Sequence, residues 1–502
     1  MRQRLSNAYS WYANNVLKIL YFTLSVTLLV VVLERVGIIF SYEGHTAGID
    51  NNFDYGIIRA IAGYSLYPDP SNYPFAVNPY APLFFLTCKW IANLLHIQAD
   101  NTLAVYRLSR TVALLADIGT WLLLYALLRK RLKVKKELCI AGIATFICIL
   151  SFLGYTINRC DALFLFFYAS AIFILSRPDG KRMLLSALLL AIVTTLCIFS
   201  KQNGIVLIGL VTVWRAMERK FFPAFLYLLF LATFCSAFFL LFNNYYTDHF
   251  FAAHVINSLK NRIDFQWFYV YVFKLIAGSY IGLPLAVAGV MALSGIVGRK
   301  NGMVSKLSAI FLIQFIASTL LCLKWGSSLG YFNESFFLAT LLIAAYCKSI
   351  DPTRLESFLK TALPYLYPCL AIFVLHMLSQ LFFFFLNSQT IAKQHFEEQV
   401  QISQYIKQQI GGSNRYVIDL SNADFNFFKA LLYKEEAAPN IDAVNCCTLP
   451  DKIFDYSRLL QGLRDGSVQF LIKANDSQLQ NLWGVDIHHF VAQKQFSNYT
   501  VY

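Results

Sequence analysis

Apolar runs close to a bilayer crossing in length recur along most of this chain, and the charge between them alternates by side. A helix of roughly 20 apolar residues satisfies its own backbone and spans a ~30 Å hydrocarbon core, so such runs restrict the fold to a membrane bundle. Spans placed at 17–40, 105–128, 138–155, 161–176, 183–199, 204–218, 222–243, 267–296, 306–323, 334–347 and 361–387 put every basic start and loop on one face. These are Arg2/Arg4, Arg129 to Lys136, Arg177 to Arg182, Arg215 to Lys220, Arg299 to Lys306 and Lys348 to Lys360. The positive-inside rule then places the N-terminus in the cytoplasm and the C-terminus outside.

Composition agrees. Of 502 residues, 57% are hydrophobic and only 14% charged, where a soluble protein carries about a quarter. The formal charge of +14 comes from loops that the positive-inside rule explains, which excludes a nucleic-acid partner. Nine of the eleven cysteines lie in or beside apolar runs. Only Cys446 and Cys447 sit in the polar tail, and with no CxxC or metal spacing the cysteines read as packing residues. The N-terminus lacks a small-residue cleavage site, so Leu17 to Phe40 reads as a retained first span.

Two outer regions exceed simple connectors. The first, 41–101, includes the short apolar segment Tyr80–Leu95, which reads as a helix in the outer interface, because counting it as a span would invert every later loop. The second, Phe242 to Phe268, is rich in Asn, Tyr and His and is expected to form a lid or rim. After Asn387 the composition becomes soluble. Ile391–Gln409 and Asp451–Gly462 read as helices, Tyr416–Leu420 and Val468–Lys473 as strands. The expected fold is thus an all-α polytopic membrane bundle of about 11 helices over residues 1–387, followed by a small extracytoplasmic α/β domain over 388–502.

The ionisable residues Asp50, Asp54, Arg107, Arg110, Arg159, Asp161, Lys201, Lys324 and Glu334 all fall on the outer side. Charge at a bilayer boundary is costly, so a one-sided cluster is by default a functional site. Asp50 and Asp54 stand in a loop segment that reaches Gly63 and Tyr67, followed by Asn78-Pro-Tyr80-Ala-Pro82-Leu83. Further along come Asn158-Arg159-Cys-Asp161-Ala-Leu, Ser200-Lys201-Gln202-Asn203 and Lys324-Trp-Gly326 through Tyr331-Phe-Asn333-Glu334.

In the order and sidedness of these elements over roughly residues 15–390 the chain resembles the GT-C superfamily of lipid-linked-sugar glycosyltransferases, and more closely the branch of protein O-mannosyltransferases and the aminoarabinose transferase of lipid A. The resemblance implies a GT-C-like fold and transfer of a sugar from a polyprenyl-phosphate donor to a glycan, lipid or protein acceptor, in a bacterial inner membrane. It implies Asp50 as general base, with Asp54 or Asp161 positioning the acceptor. Arg107, Arg110, Arg159, Lys201 and Lys324 are the implied phosphate contacts, with Tyr80, Gln202, Tyr331, Asn333 and Glu334 lining the substrate cavity. The residue types suit that chemistry: a carboxylate takes the acceptor proton, and guanidinium forks and ammonium groups stabilise charge on a departing phosphate. No visible ligand set demands a metal; a divalent ion remains compatible.

Simpler readings accompany these. Arg159 and Asp161 also suit a solvated pair or a cap at a helix end, and Lys201 suits snorkelling from a span end. Glu34 and Arg35 read as a structural pair, and His45, His249 and His254 as structural or rim residues rather than metal ligands. A transporter or flippase of lipid-linked sugars would show inverted repeats and mid-membrane charge; a glycan polymerase or ligase would use diphosphate-linked oligosaccharides.

Overall fold

The computed structural model describes residues 2–42, 50–154, 156–177, 183–246, 249–256, 262–279, 281–298, 302–349, 375, 390–410, 416–420, 428–435, 455, 457–475 and 489–502. Helix α1 (Arg2–Phe40) is followed by two 12-residue helices, α2 (Asp50–Ile61) and α3 (Leu83–Leu94). Then come α4 (Thr102–Ala126), α5 (Lys136–Leu153), α6 (Cys160–Leu175), α7 (Met183–Ser200), α8 (Val206–Met217) and α9 (Phe221–Leu241). After three short helices, α10 (Phe251–Val255), α11 (Phe265–Phe268) and α12 (Lys274–Ala277), the bundle closes with α13 (Gly282–Val297), α14 (Met303–Cys322) and α15 (Asn333–Ser349).

Six described helices are long and apolar enough to cross a membrane: Tyr21–Phe40, Thr102–Arg131, Met183–Ser200, Phe221–Asn244, Met303–Cys322 and Leu329–Lys348. The protein is an integral membrane protein. The single span expected at 267–296 is instead broken, with Phe265–Ala277 and Gly282–Val297 meeting at 84°. Helices α5 and α6 are shorter apolar elements, and the 12 residues of α8 reach only ~18 Å. The last expected span, 361–387, lies outside the described residues except for residue 375, which is helical.

The bundle centres on α6, packed between α4 and α7, with α7 backed by α9 and α14 held between α13 and α15. Lipid offers no hydrophobic drive between helices, so close approach depends on small residues at the contacts. Ala162 and Ala169 of α6 and Ala187 and Ala191 of α7 are all buried. Helix α9, by contrast, turns Phe221, Phe222, Phe225 and Leu229 outward, an apolar face suited to lipid. Arg35, expected to pair with its neighbour Glu34, makes its close contacts beyond its own helix. Arg35 reaches across to Asp117 in the middle of α4 at 2.9 Å and donates to the Thr156 carbonyl at 3.0 Å.

Beyond the bundle, α16 (390–410) leads to a four-stranded sheet. Strands β1 (Tyr416–Leu420), β2 (Val468–Ala474), β3 (Lys494–Gln495) and β4 (Tyr499–Val501) lie in the order β1-β2-β4-β3. β1 runs parallel to β2, and both other pairings are antiparallel. Helix α17 (Ser457–Asp465) begins later than the expected 451–462 element. Ile402, Ile406 and Ile410 recur every fourth residue on α16 and meet Val417, Phe470 and Ile472 of the sheet. This unit sits on α2 and on the loops that flank α3: Lys429 Nζ donates to Asn52 Oδ1 at 2.7 Å, Tyr433 Oη to Asp100 Oδ1 at 3.0 Å, and Arg458 to Asn72.

Candidate functional site

Three chain ends at one side of the bundle converge on one buried charge cluster. The α5–α6 junction turns at Gly154 in the left-handed region, and Arg159 then adopts extended backbone as the residue before α6. That places Asp161 in the first turn of α6, where the helix dipole favours a carboxylate. From the other direction α7 ends at Ser200, and Lys201 follows it, a favourable position for a cation. Lys201 Nζ meets Asp161 Oδ1 at 2.7 Å, and Arg159 Nε lies 3.4 Å from Asp161 Oδ2. All three side chains are buried. Neither the solvated pair nor the snorkelling lysine describes them.

Gly204 sets this turn. A Cβ there would stand 2.7 Å from the Ile198 nitrogen and 2.8 Å from the Cys197 carbonyl carbon, so only glycine lets the segment 202–205 fold back on the last turn of α7. The same turn sends Gln202 Nε2 to the carbonyls of Pro79 and Val255, tying α7 to both outer loops.

The third contribution comes from the start of α15. The Tyr331 ring lies 4.7 Å from Lys201 Nζ. Asn333 and Glu334 are buried, and Asn333 Oδ1 and Glu334 Oε2 have no hydrogen-bond partner among the described residues. Buried acceptors of this kind are costly unless a donor reaches them.

Asp54 forms a neighbouring network. It is fully buried on α2, where Ser109 Oγ donates to Oδ1 at 2.9 Å and Asn158 Nδ2 to Oδ2 at 3.0 Å. Phe53 beside it lies under the Arg159 guanidinium at 5.7 Å and packs on the Tyr80 ring at 4.3 Å. Tyr80 is therefore part of this wall, with its carbonyl accepting from Tyr67 Oη at 2.7 Å. Asp50 is the first residue of α2, one turn ahead of Asp54; its side chain lies outside the described residues, as does His45.

The remaining cations go elsewhere. Arg110 Nη1 donates to the Ile38 carbonyl at 2.9 Å and to Ser41 at 3.1 and 3.2 Å, and Arg107 lies over the Phe40 ring at 5.8 Å. Both hold the C-terminal end of α1, where a helix attracts positive charge. Lys324 is half-buried, its backbone bridged to Ile263 across the rim. The 242–268 region contributes that rim. His254 accepts from the Asn78 amide at Nδ1 (3.0 Å) and approaches the Pro68 carbonyl through Nε2 at 2.6 Å, which fixes a neutral ring protonated at Nε2. Among the described residues no group of three His, Cys, Asp or Glu side chains converges to hold a metal.

Several participants were not expected. Ser109 and Phe53 carry no distinctive sequence signal. Asp117 did carry one: an acid in the middle of an apolar span almost always marks a buried partner, here Arg35.

No family model and no curated protein matches the chain. Solved structures do match. ArnT from Cupriavidus metallidurans, crystallised with undecaprenyl phosphate, is 12% identical and superposes over 96% of this chain and 97% of its own, with a TM-score of 0.58. The oligosaccharyltransferase AglB from Archaeoglobus fulgidus, in complex with an inhibitory peptide and a dolichol-phosphate, is 12% identical over 93% of this chain and 69% of its own, with a TM-score of 0.54. The same archaeal enzyme complexed with Zn and sulfate is 13% identical over 90% and 68%, also at 0.54. At such identity the likeness is one of fold: this chain shares the fold of those structures.

Proposed function

We propose that this GT-C-fold membrane protein is a glycosyltransferase that moves a sugar from a polyprenyl-phosphate donor to an acceptor hydroxyl or amine at the outer membrane face. The observation that carries this reading is the buried Arg159–Asp161–Lys201 cluster, in which two cations meet one directly bonded carboxylate. Such a cluster has capacity for a further anion, and a phosphate supplies it. The likeness to structures holding undecaprenyl phosphate and dolichol-phosphate supports the same choice of donor.

In this mechanism Lys201 and Arg159 bind the phosphate oxygens, with Asp161 holding both cations in place before the donor arrives. Asn333 Oδ1 and Glu334 Oε2, lacking donors of their own, accept hydrogen bonds from sugar hydroxyls; Tyr331, Tyr80 and Gln202 shape the walls. The Asp50 carboxylate takes the proton from the acceptor hydroxyl as its oxygen bonds to the anomeric carbon. The bond from that carbon to the phosphate oxygen breaks, its electron pair leaves with polyprenyl phosphate, and configuration inverts. Asp54, fixed by Ser109 and Asn158, aligns α2 so that the base meets the acceptor. General-base catalysis of this kind contributes roughly 10²–10⁴-fold, and electrostatic stabilisation of the leaving phosphate lowers the same barrier. Lys324 guides the anion at the rim, while Arg107 and Arg110 act through the end of α1. No step is routed through a metal.

The reading places the protein in a bacterial inner membrane with eleven crossings, residues 1–387 forming the transferase bundle and 388–502 an external domain. Its test is turnover of a panel of radiolabelled polyprenyl-phosphate sugars by protein in lipid. Asp50→Asn is expected to lose roughly 10²–10⁴-fold of turnover while still binding donor. Full activity in Asp50→Asn with loss in Asp54→Asn would move the base one turn along α2. No donor consumed by wild type would sink the reading.

A further inference from the structure

Helix α2 presents a second functional face. Asn52 and Arg59 each stand three and four residues from the adjacent pair Tyr55 and Gly56, a stripe that lies about 150° around the axis from Asp54 at ~100° per residue. While Asp54 turns into the membrane site, this stripe lines a small cleft bounded by the 76–79 segment and by Lys429 of the C-terminal domain. Gly56 holds α2 tightly against α3, since a Cβ there would overlap the Phe85 ring at 2.6 Å.

The chemistry of this cleft is one-sided. Arg59 is 7% exposed and Lys429 3%, and among the described residues no carboxylate lines the space. The Arg59 guanidinium is clamped between the Tyr55 and Tyr64 rings at 5.5 and 4.9 Å, its Nη1 donates to Tyr55 Oη at 3.4 Å, and its Nε is buried with no hydrogen-bond partner among the described residues. Asn78 is fixed the other way round: its Oδ1 accepts from the Tyr80 amide at 3.2 Å, which leaves buried Nδ2 without an acceptor among the described residues. Lys429 Nζ spans to Asn52 Oδ1 at the mouth. Buried donors without acceptors are costly, and charged donors most of all. A cleft built from them is complementary to an acceptor-rich anion.

We propose that this cleft binds an oxyanion, a phosphate or carboxylate group carried by the acceptor that approaches the transfer centre from the external side. The assignment of the anion to the acceptor rests on the transferase reading above; the anion site itself stands on the cleft. Arg59, Asn78 and Lys429 hold the anionic group on the outer face of α2, and the reacting hydroxyl reaches round to its inner face. The external domain thereby contributes a residue to substrate binding.

The test is equilibrium dialysis of radiolabelled inorganic phosphate against full-length protein in nanodiscs. Arg59→Gln is expected to weaken the bound phosphate by roughly 10–100-fold, the loss of one charged hydrogen-bonding group. Arg59→Lys is expected to recover part of it, and Lys429→Gln to repeat the loss from the other wall should Arg59→Gln fail to fold. Equal titration of wild type, Arg59→Gln and Lys429→Gln would overturn the proposal, as would loss confined to Lys201→Gln, which would place the phosphate in the membrane site. Repeating the dialysis with phosphatidylglycerol in the nanodisc assigns the source. Displacement marks a lipid head group and retention a soluble acceptor group, and both support the site. Phosphate binding that depends on Arg59 in a protein that turns over no donor would retain the cleft and refute only the transferase reading.

Discussion

His254 joins three parts of the outer face through one ring. Its Nδ1 accepts from the Asn78 amide and its Nε2 meets the Pro68 carbonyl, while Tyr67 packs edge-on at 5.4 Å. Burial lowers its pKa from 6.5 to about 4, against the opposing pull of the Pro68 carbonyl and Asp69. The folded protein therefore keeps the imidazole neutral, and the unfolded chain takes up a proton first as pH falls. Stability that is fully present above pH 6.5 is lost progressively toward pH 4, by up to about 1.4 kcal/mol per pH unit. Melting temperature is expected to drop between about pH 7 and about pH 5 in wild type, with a shallower drop in His254→Gln. Parallel pH profiles for the two proteins would refute this role. The sequence marked His254 as a structural or rim residue; the bonds that hold it come from residues some 180 positions away, beyond the reach of local pattern.

At the scale of elements, the turn between α7 and α8 decides where the ammonium of Lys201 stands. Gly204→Ala would push a methyl group into the backbone of Ile198 and Cys197, displacing Lys201 and Gln202 together. Backbone cannot yield as a flexible side chain does, so overpacking here costs ~1–3 kcal/mol. Donor turnover is expected to fall about tenfold or more, as misplaced catalytic groups do, with a smaller loss of melting temperature. Unchanged turnover would show that the turn tolerates the shift. Charge sidedness and span length made α4, α7, α9, α14 and α15 legible, because each is one uninterrupted apolar helix. They misread 267–296, where an equally apolar run bends by 84°. Hydropathy measures solvent preference and carries no information about helix direction. Arg107 and Arg110 illustrate the same limit: their spacing placed them on one face of α4, but only the fold reveals that this face meets the end of α1.

For the whole molecule, the sequence-derived orientation puts every basic loop in the cytoplasm and the external sheet outside. In intact spheroplasts a membrane-impermeant maleimide is expected to label Lys494→Cys of β3, an exposed position. It is expected to label Lys133→Cys, exposed in the loop before α5, only after permeabilisation. The reverse pattern would invert the topology and move the Arg159–Asp161–Lys201 cluster to the cytoplasmic face. The strands at 416–420 and 468–474 were legible as apolar runs, whereas β3 and β4 are two and three residues long, too short for periodicity to register. The account as a whole turns on what occupies the charge cluster. Its most direct measurement is equilibrium binding of polyprenyl phosphate to purified protein in nanodiscs, wild type against Lys201→Gln, with both confirmed folded by their melting curves. Removing one charged hydrogen-bonding group from the phosphate is predicted to weaken binding by roughly 10–100-fold. Equal affinity in the two proteins would place the lipid phosphate elsewhere and contradict the mechanism.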